Sequence, residues 1–155
     1  MERPSTLPEY LIIMERLRVE LARVAGYPLE TILADRDKQL AAERLLQELA
    51  DCALDIGRQL LVKMGEDPGT TGRLSFRQLE RSGIVDREIA HRLGDYYGLR
   101  NALVHGYAAM ADDEEIARLG EIEGLVNEYM AAVTAYLNRC SDANPPVDEA
   151  MPPAL

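Results

Sequence analysis

A chain of 155 residues has room for one core of ordinary size, and with one Phe and no Trp that core must be aliphatic. A formal net charge of −10 excludes a broad nucleic-acid-coating surface, which needs clustered excess Lys and Arg, but leaves room for a local basic patch. Cys52 and Cys140 give neither a disulfide framework nor metal-ligand spacing, and MERPSTLPEY has no apolar h-region, so a reduced, cytoplasmic protein without a membrane span is expected.

The elements read as helices throughout. The first is predicted from about Pro8 to Ala25, with Thr6 as cap and Ile13, Leu17, Leu21 and Val24 on one face. Gly26 and Pro28 end it. The second is predicted from about Asp37 to Met64, its stripe formed by Ala42, Leu46, Leu49, Ala53, Ile56, Leu60 and Met64. Cys52 lies beside that stripe and reads as a small buried hydrophobe, whereas Cys140 reads as exposed.

GEDPGTTG, residues 65–72, reads as a loop. It lacks the Gly-Lys-Ser/Thr that a phosphate-cradling loop requires. A short helix is predicted over about Ser75 to Arg81, broken by Gly83. Asp86 then caps a helix running from Arg87 to near His105, with Ile89, Leu93, Tyr96 and Leu103 facing inward. His91 falls on an outer face; Tyr96 reads as core and Tyr97 as a cleft residue. The acidic run Asp112 to Glu115 suits the start of a last helix, whose stripe is Ile116, Leu119, Ile122, Val126, Tyr129, Val133 and Tyr136. Residues 141–155 read as a disordered tail outside a 1–140 helical domain. The expected fold is all-α: a four-helix bundle with one additional short helix.

Chemistry concentrates in RNALVHGY, residues 100–107. Arg100 offers a planar fork of donors for phosphate oxygens. His105 titrates near neutrality, so it can take a proton from a ribose 2′-hydroxyl or give one to a leaving oxygen. Asn101 can support it, and Tyr107 can bond a phosphate or lie near a base. RNA supplies its own nucleophile, so neither a metal nor a cofactor is required. On a straight helix Arg100 and His105 stand roughly 140° apart. Either the chain turns at Gly106 and brings His105 back, or a two-fold dimer joins two motifs across one cleft. Arg73, Arg77, Arg81, Arg87 and Arg92 are candidates for a basic rim, although each alone is an ordinary solvated helix charge.

The Arg-x4-His-x-Tyr pattern at 100–107, the long helix ILADRDKQLAAERLLQELADCALDIGRQLL with its Glu-Arg pair, and LSFRQLERSGIVDREIAHRLGDYYGL leading into the motif together resemble the HepT-like toxins of the HEPN group. The resemblance covers roughly Leu11 to Leu137. It implies a dimeric HEPN-type bundle and metal-independent endoribonuclease activity on RNA, with tRNA or mRNA as target. It also implies a toxin–antitoxin pairing with a minimal nucleotidyltransferase. Arg100 and His105 would be catalytic, Asn101 and Tyr97 supporting, and Tyr107 the tyrosine that the partner modifies with AMP. The alternative is a non-catalytic HEPN dimer that binds nucleotide or RNA, or serves mainly as that partner's substrate. The motif His is followed here by Gly106, a position often larger or charged in such sequences.

Overall fold

The computed structural model describes residues 6–104 and 116–143, with 99–104 and 143 as backbone only. Every element among them is helical. The long helix organises the rest. We number the helices α1 (Leu7–Ala25), α2 (Leu29–Ala34), α3 (Arg36–Lys63), α4 (Gly72–Arg81), α5 (Arg87–Val104) and α6 (Leu119–Ala143). Over 28 residues α3 places Ala42, Leu46, Leu49, Ala53, Ile56 and Leu60 at one-turn intervals, each 1% exposed or less. Such a stripe can leave water only by packing against several partners at once.

Those partners close a ring. α1 packs on α3, α3 on α5, α5 on α6, and α6 back on α1. Met14, Leu17 and Leu21 from α1 meet Ile122, Val126, Tyr129 and Val133 from α6 in the same core. The Tyr129 hydroxyl is carried into it and donates to the Ala53 carbonyl at 2.9 Å, so its burial leaves no orphan donor. α4 lies outside the ring, on α5 and α3, and makes its most extensive contact with α5.

The bundle and its short extra helix are as the periodicity predicts, with four differences. α2 was not expected: a six-residue helix that buries only Ile32. Asp35 ends α2 and caps α3, its carboxylate accepting from Asp37 N at 3.0 Å. Thr6 sits at the start of α1, but its side chain makes no cap bond. α4 starts at Gly72 rather than Ser75, because Thr71 caps it, accepting from Leu74 N at 3.2 Å. α6 runs on through 141–143, past the expected tail boundary. The predicted helix start at Asp112–Glu115 and the tail beyond 143 lie outside the described residues. No described helix is long and apolar enough to cross a membrane.

Candidate active site on the fifth helix

α5 is the element that carries Arg100 and Asn101, the first residues of the motif. Asp86 opens it by accepting from Ile89 N at 2.8 Å, as the sequence predicts. Leu93 and Tyr96 then anchor it: both are buried, and the Tyr96 hydroxyl donates to the Leu46 carbonyl of α3. A helix pinned at both points has a fixed register, so the positions after Tyr96 are set by the core.

Tyr97 is half-buried at the edge of that core. Its ring meets Phe76 edge-on, with centroids 6.4 Å apart and planes at 69°. Across it lies Gly72, the first residue of α4, where even a methyl group would fall 2.3 Å from the ring. Tyr97 also lines an open groove of about 640 Å³ between α1 and α3. Glu48, Asp51, Asp55 and Arg58 bring charge to this groove, and Tyr10, Ile13 and Leu17 its apolar wall.

Two features set the chemistry of the groove. Arg58 donates from Nε to the Ser75 hydroxyl at 3.2 Å, and Ser75, fully buried, donates to the Pro68 carbonyl. This relay ties α3, α4 and the loop between them, and nothing in the sequence pattern pointed to it. Cys52 sits below with its thiol against the Tyr10 carbonyl at 3.4 Å. Burial first, then the Asp55 and Asp51 carboxylates, push its pKa up to about 12, so it offers no thiolate near neutral pH. Among the described residues no three His, Cys, Asp or Glu side chains converge as metal ligands.

The sequence-predicted residues distribute as follows. Arg100 and Asn101 lie within α5, one turn beyond Tyr97, and their side chains are outside the description. His105 and Tyr107 lie outside the described residues altogether. So do both of the ways in which the motif can close, the turn at Gly106 and the shared two-fold cleft. His91 is exposed, as expected, with Nε2 3.2 Å from Asp95. Of the five candidate rim arginines, Arg73, Arg77 and Arg87 line one groove between α4 and α5, and Arg81 lies beside it. Arg92 lies apart from them, in another recess, where it pairs with Glu128 of α6 at 2.8 Å; Arg73 is paired too, with Asp95 at 2.9 Å.

Residues 10–121 match the family described as Ribonuclease HepT-like. A curated relative, the tRNA nuclease HepT of Aphanizomenon flos-aquae (strain 2012/KM1/D3), is 26% identical over 141 residues, 91% of this chain and 96% of the relative. The structure of YutE from Bacillus subtilis, a cytosolic protein of unknown function, superposes with a TM-score of 0.71 at 22% identity, covering 91% of this chain and 92% of that one. That likeness is one of fold.

Proposed function

Since the chain belongs to the Ribonuclease HepT-like family, we propose that it is a metal-independent endoribonuclease, acting on tRNA in the first instance. The observation that carries this reading is the span of the family match. Residues 10–121 take in Tyr97, Arg100, Asn101, His105 and Tyr107 together.

In this reading Arg100 holds the scissile phosphate and stays charged as negative charge builds on its oxygens. The ribose 2′-oxygen attacks phosphorus and the bond to the 5′-oxygen breaks, leaving a 2′,3′-cyclic phosphate and a 5′-hydroxyl. His105 moves the proton, from the attacking hydroxyl or to the departing oxygen. Asn101 orients the histidine, and Tyr97 forms part of the wall that the strand meets. Two copies of the chain related by a two-fold axis bring two motifs to one cleft, which answers the angular separation of Arg100 and His105 along a helix.

The same site explains control. A minimal nucleotidyltransferase partner places AMP on Tyr107. The adduct brings a fixed negative phosphate and a bulky base beside Arg100, so it takes the position of the RNA phosphate and inhibits by occupancy, without refolding. The chain is thus the toxin of a toxin–antitoxin pair.

The test is RNA cleavage by unmodified protein in excess EDTA, beside His105→Ala. We expect cleavage by the wild type alone, with cyclic phosphate ends. Equal cleavage by the variant removes His105 from the chemistry. No cleavage by either, from protein whose mass shows no adduct, replaces the enzyme with an RNA-binding or partner-substrate role.

A further inference from the structure

One side of α4 is a row of guanidinium groups. Arg73, Arg77 and Arg81 follow at intervals of four residues, all exposed, while Gly72, Ser75, Phe76 and Leu79 bury the opposite face. Successive members of the row rise about 6 Å and turn by roughly 40°. That rise is close to the separation of neighbouring phosphates along one nucleic-acid strand. Across from the row, α5 contributes Arg87 and His91, again four residues apart. The two helices enclose an open groove of about 260 Å³ whose one carboxylate is Glu80. Arg77 and Arg81 continue into a neighbouring recess with Asp67. Leu74, 46% exposed, lines both and offers an apolar surface to a sugar or base.

Three of these charges are unspent; Arg73 and His91 both meet Asp95. Several surface cations elsewhere are matched, Arg18 to Glu15, Arg23 to Glu20, Arg44 to Glu48 and Arg92 to Glu128, and the unmatched Arg16, Arg36 and Lys63 are scattered over α1 and the two ends of α3 rather than set in a row. Arg77, Arg81 and Arg87 make no ion pair among the described residues, in a chain of net charge −10. A cluster of like charges with only Glu80 and Asp67 beside it costs stability rather than adding to it, so packing does not account for its presence. The row also has a direction. Its Arg73 end lies across α5, held by Asp95 at 2.9 Å, with Nη2 3.6 Å from where a side chain on Gly98 would begin. Gly98 is two residues before Arg100.

We propose that Arg77 and Arg87 in the α4–α5 groove, with Arg81 in the recess beside it, hold phosphates of an RNA strand and lead it toward the Arg100 end of α5. The proposal rests on the ribonuclease reading for its substrate. Recognition of this kind is by backbone, since phosphate contacts position a strand and carry no sequence information. Arginine is suited to it, because its fork matches phosphate oxygens and is always charged.

The test separates the row from the chemistry. Binding is measured by anisotropy on the full-length His105→Ala protein, with a labelled oligouridylate of about twelve nucleotides, within the span that single-strand binders cover. The triple variant Arg77→Ala/Arg81→Ala/Arg87→Ala is compared with Arg16→Ala/Arg36→Ala/Lys63→Ala, which removes the same charge from exposed positions on α1 and α3 that make no ion pair among the described residues. Losing three phosphate contacts lowers the slope of log affinity against log salt by about 2 and weakens binding at least about tenfold. The control should keep the wild-type slope. Equal losses in both variants, or RNA binding unchanged in the first, overturn the proposal; unchanged RNA binding with loss of an acidic protein partner would assign the groove to that partner instead. In the His105-intact protein the triple variant should raise KM for long RNA and spare kcat. Absent cleavage with a lost slope rejects the nuclease and keeps the row; normal cleavage with an unchanged slope and KM does the reverse.

Discussion

Gly72 is the residue at which α4 meets the wall of the candidate site. A Cβ there would fall 2.3 Å from Tyr97 Cδ1 and 2.5 Å from Cε1, and Phe76 stands edge-on to the same ring. Helix propensity alone favours alanine over glycine by about 1 kcal/mol. We therefore expect Gly72→Ala to reveal which effect wins. Overpacking against a ring held edge-on by Phe76 should destabilise the protein by about 1–3 kcal/mol, read as a lower melting temperature. A variant that melts higher would mean the ring yields freely. At this scale the sequence was legible where periodicity reaches. It separates Tyr96, in the core, from Tyr97, at the groove, although the two are adjacent. It is blind to Gly72 against Tyr97, because no local pattern relates residues on two different elements.

Among elements, α5 opens on a side-chain cap. The Asp86 carboxylate is what satisfies the first-turn Ile89 N–H. Asp86→Ala should cost about 1 kcal/mol in urea unfolding, with Asp86→Ser recovering most of it. Thr6→Ala is the natural contrast. Thr6 holds the same position on α1 but makes no cap bond, so its loss should fall within a few tenths of a kcal/mol. Equal costs at the two sites would show that the Asp86 bond contributes nothing particular. α1, α3, α5 and the described part of α6 were legible because each repeats its apolar stripe over several turns. α2 was not, since six residues with one buried side chain carry no period. The early start of α4 was hidden because Gly and Thr are loop-formers by composition, and only the Thr71 cap makes them a helix start. The arginine row depends on that start: with the helix beginning at Ser75, Arg73 falls in the loop and the face is cut short.

For the whole molecule, the buried acids predict how stability responds to alkali. The Cys52 thiol, ordinarily near 9.0, is held up to about 12, and burial raises the Tyr129 phenol too. Between those values the unfolded chain has released the Cys52 proton and the folded chain has not. Stability is therefore fully present below about pH 9 and falls as pH rises, by up to about 1.4 kcal/mol per pH unit for each such proton. Cys52→Ala should make that fall shallower, measured by denaturant unfolding from pH 8 to 11. An unchanged pH profile would mean the thiol reaches water in the native state. The site as a whole was only partly legible. Spacing isolates Arg100, His105 and Tyr107, but bringing them together is a tertiary matter, and the proposed guiding face needs side chains from two helices.

A row of cations on an acidic body also shapes the kinetics of encounter. From afar a polyanion meets a molecule of net charge −10 and is repelled; within reach of α4 it meets the arginines and is drawn in. The two fields differ in range. At 0.1 M salt the Debye length is about 10 Å, so the field of the distant body is screened more than that of the charges a strand touches directly. Association is therefore slow in dilute salt, fastest at intermediate ionic strength and slow again when salt competes for the guanidinium groups. Such a chain discriminates by orientation: only a strand that arrives along the one face where attraction outlasts repulsion stays long enough to slide toward the end of α5.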